Sequence, residues 1–159
     1  MKNKTIVALG YILIGLYFFQ HIADIKWLWL EELQTDKTFK NWSGLTIFIY
    51  ILIQWLLSIV RHVFKLTTEQ CKPYIELHKY LGVFSPVVFY FHSTHPGYAF
   101  LFILTLVFFA NSLIGLLNTK NNLIKSKPLY FLYIISHIVL SVCLLFLAFI
   151  HIWVVFSYN

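Results

Sequence analysis

Five stretches of this chain, residues 6–22, 44–60, 74–93, 98–117 and 129–156, are apolar over the length that a helix needs to cross a membrane. A hydrocarbon core of roughly 30 Å takes about 20 residues at about 1.5 Å per residue. A bilayer interior offers no water to a free N–H or carbonyl, so such segments fold as helices whose backbone bonds are all internal. The expected fold is therefore all-α: a polytopic membrane helical bundle of five transmembrane helices, with residues 1–159 as one domain. Composition agrees. Hydrophobic residues make up 60% of the chain and charged residues only 11%, against about 25% charged in an ordinary soluble domain. Hydrophobicity this high also excludes intrinsic disorder. The third stretch is the least apolar, with Glu76, His78 and Lys79 near its start.

Lysine and arginine accumulate on the cytoplasmic side of membrane proteins. With the N-terminus inside, that side collects Lys2, Lys4, Arg61, Lys65, Lys72, Lys79, Lys120, Lys125 and Lys127. The opposite side has only Lys26, Lys37 and Lys40, among Asp24, Glu31, Glu32 and Asp36. The imbalance predicts the N-terminus inside and the C-terminus outside, and it assigns the net charge of +6 to topology rather than to nucleic acid. The expected location is the cell (inner) membrane, multi-pass, in contact with membrane lipid. No small-x-small cleavage site follows the first apolar run before Gln20 and His21, so that run reads as an uncleaved helix. Cys71, in an expected cytoplasmic loop over 61–73, and Cys143, in mid-helix, make no disulfide framework. Pro73 and Pro128 are each expected just before a helix. In the outer loop 23–43, the segment 25–33 mixes Trp27 and Trp29 with Glu31 and Glu32. That is the make-up of a short interfacial helix, serving as a membrane-surface anchor or as a docking surface for a partner.

Ionisable residues inside a membrane mark function by default, and the chain has seven histidines: His21, His62, His78, His92, His95, His137 and His151. Two pairs are separated by 14 residues, His78 with His92 on the third stretch and His137 with His151 on the fifth. Fourteen residues are about 3.9 turns, so both members of a pair share a helix face, about 21 Å apart along the axis. The third and fifth helices run parallel, which brings His78 level with His137 near the inside and His92 level with His151 near the outside. Two facing imidazole pairs at two depths are the ligand set for two b haems: His78 and His137 on an inner iron, His92 and His151 on an outer one. A lone intramembrane histidine is more often a hydrogen-bonded packing residue, but four in matched register are not explained that way.

Small residues lie on the same faces. Gly82 follows His78 by four and Ser141 follows His137 by four, Ser85 lies midway between His78 and His92, and Ala148 stands three residues before His151. They leave room for a flat ring, although small residues also serve ordinary helix packing. Pro86 is expected to bend the third helix. Arg61 and Lys79 are expected to meet the carboxylates of the inner haem. His21, His62 and His95 read as interfacial polar residues, with contact to an outer haem carboxylate or an electron acceptor as the second option for His95. No C-x-x-C-H occurs, which excludes covalent c-type haem.

The segment Leu77-His78-Lys79-Tyr80-Leu81-Gly82 with His92-Ser93, together with His137 and His151, resembles the ligand helices of the ferric reductase-like transmembrane domains shared by ferric reductases and NADPH oxidases. The resemblance covers helices two to five and rests on the histidine spacing and on the helix ordinals three and five. It implies two haem b groups and electron transfer across the membrane to an extracytoplasmic acceptor or cytochrome subunit. Family members commonly continue through a sixth helix into a flavin and nicotinamide domain. Only five stretches and no G-x-G-x-x-G occur here. The expectation is thus an electron-transfer (oxidoreductase) subunit fed by a cytoplasmic reductase subunit or by quinol, with no catalytic side chains of its own and outward flow as the simpler direction. Respiratory cytochrome b subunits share the spacing but use another helix order. The competing function is a histidine-relay proton or metal-ion transporter, for which Glu76 is the only carboxylate within the apolar stretches. A purely structural anchor acting through 27–33 leaves the four matched histidines without a role.

Overall fold

A computed structural model describes residues 3–117 and 126–158, which form six helices and no strand. They are α1 (Asn3–Ile22), α2 (Leu28–Thr35), α3 (Lys37–His62), α4 (Thr68–His92), α5 (Phe100–Leu117) and α6 (Lys127–Ser157). Four of them, α1, α3, α5 and α6, are long and apolar enough to cross a membrane. Large apolar side chains face outward throughout, among them Phe131, Phe146 and Trp153, each 63–65% exposed. A surface of that kind suits lipid and not water. Lys2, Lys120 and Lys125, which entered the expected charge asymmetry, lie outside the described residues.

Helices α3, α4 and α6 begin earlier than the apolar runs do, because polar caps start them. Asp36 Oδ1 accepts the Phe39 N–H at 2.7 Å, so α3 begins at Lys37, seven residues before the expected 44. At α4, Thr67 and Gln70 form a reciprocal capping box, and the helix begins at Thr68 rather than 74. Two expectations are corrected by this. Pro73 stands inside α4 instead of before it, and Cys71 is buried in the first turn of α4 instead of lying in a loop, with its Sγ 3.7 Å from the Leu66 carbonyl. Pro128 likewise falls within the first turn of α6, behind the N-cap Ser126.

The segment between α1 and α3 forms the expected short helix with shifted bounds. Its helix runs over Leu28–Thr35 rather than 25–33, with Trp27 and Trp29 half exposed and Leu30 only 1% exposed. Gln34 bolts it to the end of α4. Its Nε2 donates to the Tyr90 and Phe91 carbonyls at 2.9 and 3.1 Å, and its Oε1 accepts from Thr94 N and Oγ1 at 3.3 and 2.9 Å. Those two carbonyls belong to the last turn of α4, where no intrahelical donor remains.

Pro86 does not break α4, which is continuous through it. Proline withdraws the N–H that would bond the Gly82 carbonyl, and Ser85 Oγ donates to that carbonyl at 2.8 Å instead. Ser85 also lies 3.3 Å from Ser112 Oγ on α5. Ser85 thus repairs the backbone at Pro86 and contacts α5.

α4 is the hub, packed against α1, α2, α3 and α5, while α6 packs against α5 and α3. Aromatic rings fill the centre. Tyr17 and Phe18 of α1 meet Phe89 of α4 and Phe109 of α5, with ring centroids 4.5–5.6 Å apart, and Phe89 stacks on Phe108 at 4.8 Å. Each such pair adds about 0.5–1.5 kcal/mol to the burial itself. One pairing is missing. Among the described residues, no Cα of α4 comes within 8 Å of a Cα of α6. Directly packed helices have axes about 8–10 Å apart, so these two stand across a gap that only side chains bridge.

Candidate functional site: two histidine pairs across the α4–α6 gap

The side chains that bridge the gap are the four matched histidines. His78 faces His137 with ring centroids 6.1 Å apart and planes at 86°, and His92 faces His151 at 6.4 Å and 66°. Those distances have a simple chemical meaning. Two imidazoles binding one metal from opposite sides each make a bond of about 2.0–2.1 Å. Each ring centre lies about 1.1 Å behind its nitrogen, given ring bonds of about 1.33 Å. The centroids then stand about 6.2–6.4 Å apart; the 6.4 Å of His92 and His151 falls in that range and the 6.1 Å of His78 and His137 just below it. Along each helix the members of a pair are about 21 Å apart, so the two levels are well separated.

The proton positions follow from the partners of Nδ1. His78 Nδ1 lies 3.1 Å from the Gln54 carbonyl of α3. A carbonyl only accepts, so Nδ1 carries the proton and Nε2 keeps its lone pair. His92 Nδ1 lies 3.1 Å from Ser43 Oγ, whose single proton is directed to the Lys40 carbonyl at 3.2 Å. The hydroxyl thus accepts from His92, with the same outcome at Nε2. His137 faces the backbone carbonyl of Asn111 on α5 at a geometry looser than a hydrogen bond, and its buried Nδ1 has no other partner. Holding the outer nitrogen of an imidazole in this way fixes the ring and its tautomer for a metal on the inner one.

Two glycines complete the cradle, one on each helix pair. A Cβ on Gly44 of α3 would meet His92 Cε1 at 3.1 Å, and a Cβ on Gly115 of α5 would meet His137 Cε1 at 3.2 Å. Any side chain there would push the ring. Around the outer pair lies a cavity of about 400 Å³ that contains both His92 and His151, within the size that cofactor pockets take. Its deep wall is apolar, from Phe89, Phe108, Leu144 and Ala148, and Lys37, Lys40 and Asn41 also line it.

The remaining expected site residues divide. The space in front of Gly82 is open, since a Cβ there would meet only Gln54 Oε1, at 3.8 Å. Ser141 Oγ lies 3.1 Å from Asn111 Oδ1 and 2.8 Å from the His137 carbonyl, its one proton shared between these acceptors, so it links α6 to α5. Arg61 and His62 are exposed at the C-terminal end of α3. Lys79, expected near the inner carboxylates, is paired with Glu76 at 2.9 Å. His21 and His95 meet each other at the outer end of the bundle. Ser43, Gly44, Asn111, Gly115 and the cations Lys37 and Lys40 were not anticipated as site residues. Of these, Asn111 carried a signal, as a strongly polar residue within the fourth apolar stretch.

Each facing pair could supply two imidazole nitrogens to a haem iron, and a bound haem would provide the iron's remaining ligands. Comparisons with protein-family models, with curated proteins and with solved structures find no match, so the functional reading rests on this geometry.

Proposed function

We propose that this chain is a di-haem b cytochrome that moves electrons across the cell membrane, of the ferric reductase-like type, working as a subunit of a redox complex. One observation carries the proposal: the two histidine pairs that face each other across the α4–α6 gap at 6.1 and 6.4 Å. Bound haem supplies a reversible one-electron couple at each level. The chain's own residues do the rest. His78 and His137 hold the inner group, His92 and His151 the outer. Gln54 and Ser43 fix the ligand rings, and the apolar wall of the outer cavity excludes water. Gly82 leaves space beside the inner pair, and Arg61 and Lys79 lie at the end of the bundle where the inner carboxylates emerge.

In this reading α4 is a fifth span. Its lower hydropathy is compatible with that role because it packs against four neighbours, with Leu77, Tyr80, Phe84 and Phe91 left to face lipid. Five spans with the N-terminus inside leave the C-terminus outside and the cationic ends of α3 and α4 in the cytoplasm. Electrons then enter from a cytoplasmic reductase subunit or from quinol and leave to an extracytoplasmic acceptor or cytochrome subunit. The outer cavity lies against Pro96 and Gly97 of the short turn between α4 and α5, which favours outward flow.

The test is a reduced-minus-oxidised spectrum with haem quantification on the purified full chain. Two b haems per chain are expected, and one after His92→Ala. A haem-free preparation that conducts protons or metal ions would instead establish the histidine relay.

A further inference from the structure

The remaining histidine cluster lies away from the gap. The last turn of α1 and the turn after α4 bring His21 and His95 together at the outer end of the bundle, Nδ1 to Nδ1 at 3.5 Å, with ring planes at 73°. Both side chains reach solvent, that of His95 at 48% exposure. Glu31 of α2 approaches the far nitrogen of His95, with Oε1 3.6 Å from Nε2. Three separate elements thus converge on two neighbouring imidazoles.

The spacing is that of two ligands on one ion. In a tetrahedral site with metal–nitrogen bonds of about 2.0–2.1 Å, two ligand nitrogens stand about 3.3–3.4 Å apart. The observed 3.5 Å needs almost no adjustment. The carboxylate sets the tautomer. Glu31 draws the proton of His95 to Nε2 and leaves a lone pair on Nδ1, the relation between carboxylate, histidine and metal that supports many metal sites. Without metal, His21 Nδ1–H faces that lone pair at 3.5 Å. When an ion takes the place of this proton, the proton moves through solvent to His21 Nε2, which leaves both Nδ1 atoms free to bind and both rings neutral.

We infer that His21 and His95 form a surface site for a divalent transition-metal ion, with Glu31 positioning His95 and water completing the coordination. For nitrogen donors the order of affinity places copper(II) above zinc(II). The site shares no ligand with the α4–α6 gap. Because His95 also lines the outer cavity, a bound ion places a fixed positive charge at the rim of that cavity.

The experiment uses the full chain in lipid nanodiscs with its N-terminal amine acetylated. Copper(II) is followed by electron paramagnetic resonance and zinc(II) by calorimetric titration. One ion per chain is expected, with hyperfine structure from two imidazole nitrogens. His21→Gln and His95→Gln each weaken binding at least about tenfold, and Glu31→Gln weakens it by a smaller factor. His62→Gln, at the other end of the bundle, leaves it unchanged. Circular dichroism checks that each variant is folded. The inference is overturned if no stoichiometric ion binds or if both folded histidine variants bind as the wild type does. His92→Ala binds the ion normally, so this site and the haem proposal fail or stand separately.

Discussion

Gly44→Ala is the substitution that most directly asks whether His92 is held as a ligand. The new Cβ would sit 3.1 Å from His92 Cε1, whereas carbon atoms rest about 3.5–4.0 Å apart. The ring must retreat from α3 by at least about 0.4 Å. Ser43 is on the same helix, so the retreat stretches the His92 Nδ1 to Ser43 Oγ bond from 3.1 Å to about 3.5 Å, past the useful range. A lost neutral hydrogen bond costs about 0.5–1.5 kcal/mol, which is about 2- to 12-fold in affinity. The same shift narrows the 6.4 Å gap to His151 below what two metal bonds need.

The expected result is a 2- to 12-fold faster loss of the outer haem to a haem-scavenging apoprotein, with the inner haem unchanged. Gly115→Ala is the mirror test. A Cβ there meets His137 Cε1 at 3.2 Å, but His137 Nδ1 has no hydrogen bond to lose, so the effect falls on the inner haem and is smaller. Neither variant weakens the fold, since alanine is better than glycine in a helix by up to about 1 kcal/mol. Reduced haem retention beside an unchanged or raised melting temperature is therefore the signature. If Gly44→Ala leaves both haems as they were, or loosens both equally, the assignment of Gly44 to the outer site is wrong.

Gln34→Leu removes four hydrogen bonds between α2 and the end of α4. It should lower stability in a detergent melt by about 2–4 kcal/mol, and a change under about 0.5 kcal/mol would show that the latch is idle. Leu30→Ala, at a site only 1% exposed, should cost about 2–5 kcal/mol in the same melt. Lys40→Met removes a cation from the lining of the outer cavity. An electron added there is then less stabilised, so redox titration should show the outer midpoint lower by roughly 10–40 mV, the equivalent of about 0.2–1 kcal/mol, and the inner one fixed. In oriented vesicles a membrane-impermeant oxidant should discharge the reduced protein from the C-terminal face. Discharge from the opposite face alone would reverse the direction of flow.

Helical structure and the register of the four histidines were legible in the sequence because both follow from chemistry that repeats along one chain. Apolar runs mark what can lie in hydrocarbon, and a separation of 14 puts two rings on one helix face. Helix boundaries were less legible. Asp36 and Thr67 start α3 and α4 in polar segments that hydropathy discards. The group that steadies His78 was not legible, since the Gln54 carbonyl is a backbone atom common to every residue. Gln34 reaches its partners from 56 to 60 residues away, across a contact that no local pattern records.

The one helix that hydropathy rated poorly, α4, has the most neighbours in the bundle and bears His78 and His92. In water the helix most enclosed by protein must be the most apolar, because burial is what drives it there. In a bilayer the demand falls on the helices that face lipid, and α6, with the highest mean hydropathy of the four apolar helices, is also the least enclosed of them. A helix that turns part of its surface to four neighbours is released from that demand on those faces. It can hold imidazoles, a repaired proline and hydroxyl groups, provided each polar group finds a partner inside the bundle. The low hydropathy of α4 and its place at the centre of the candidate site thus have one cause, and in a membrane bundle the least apolar long helix is the first place to look for the chemistry.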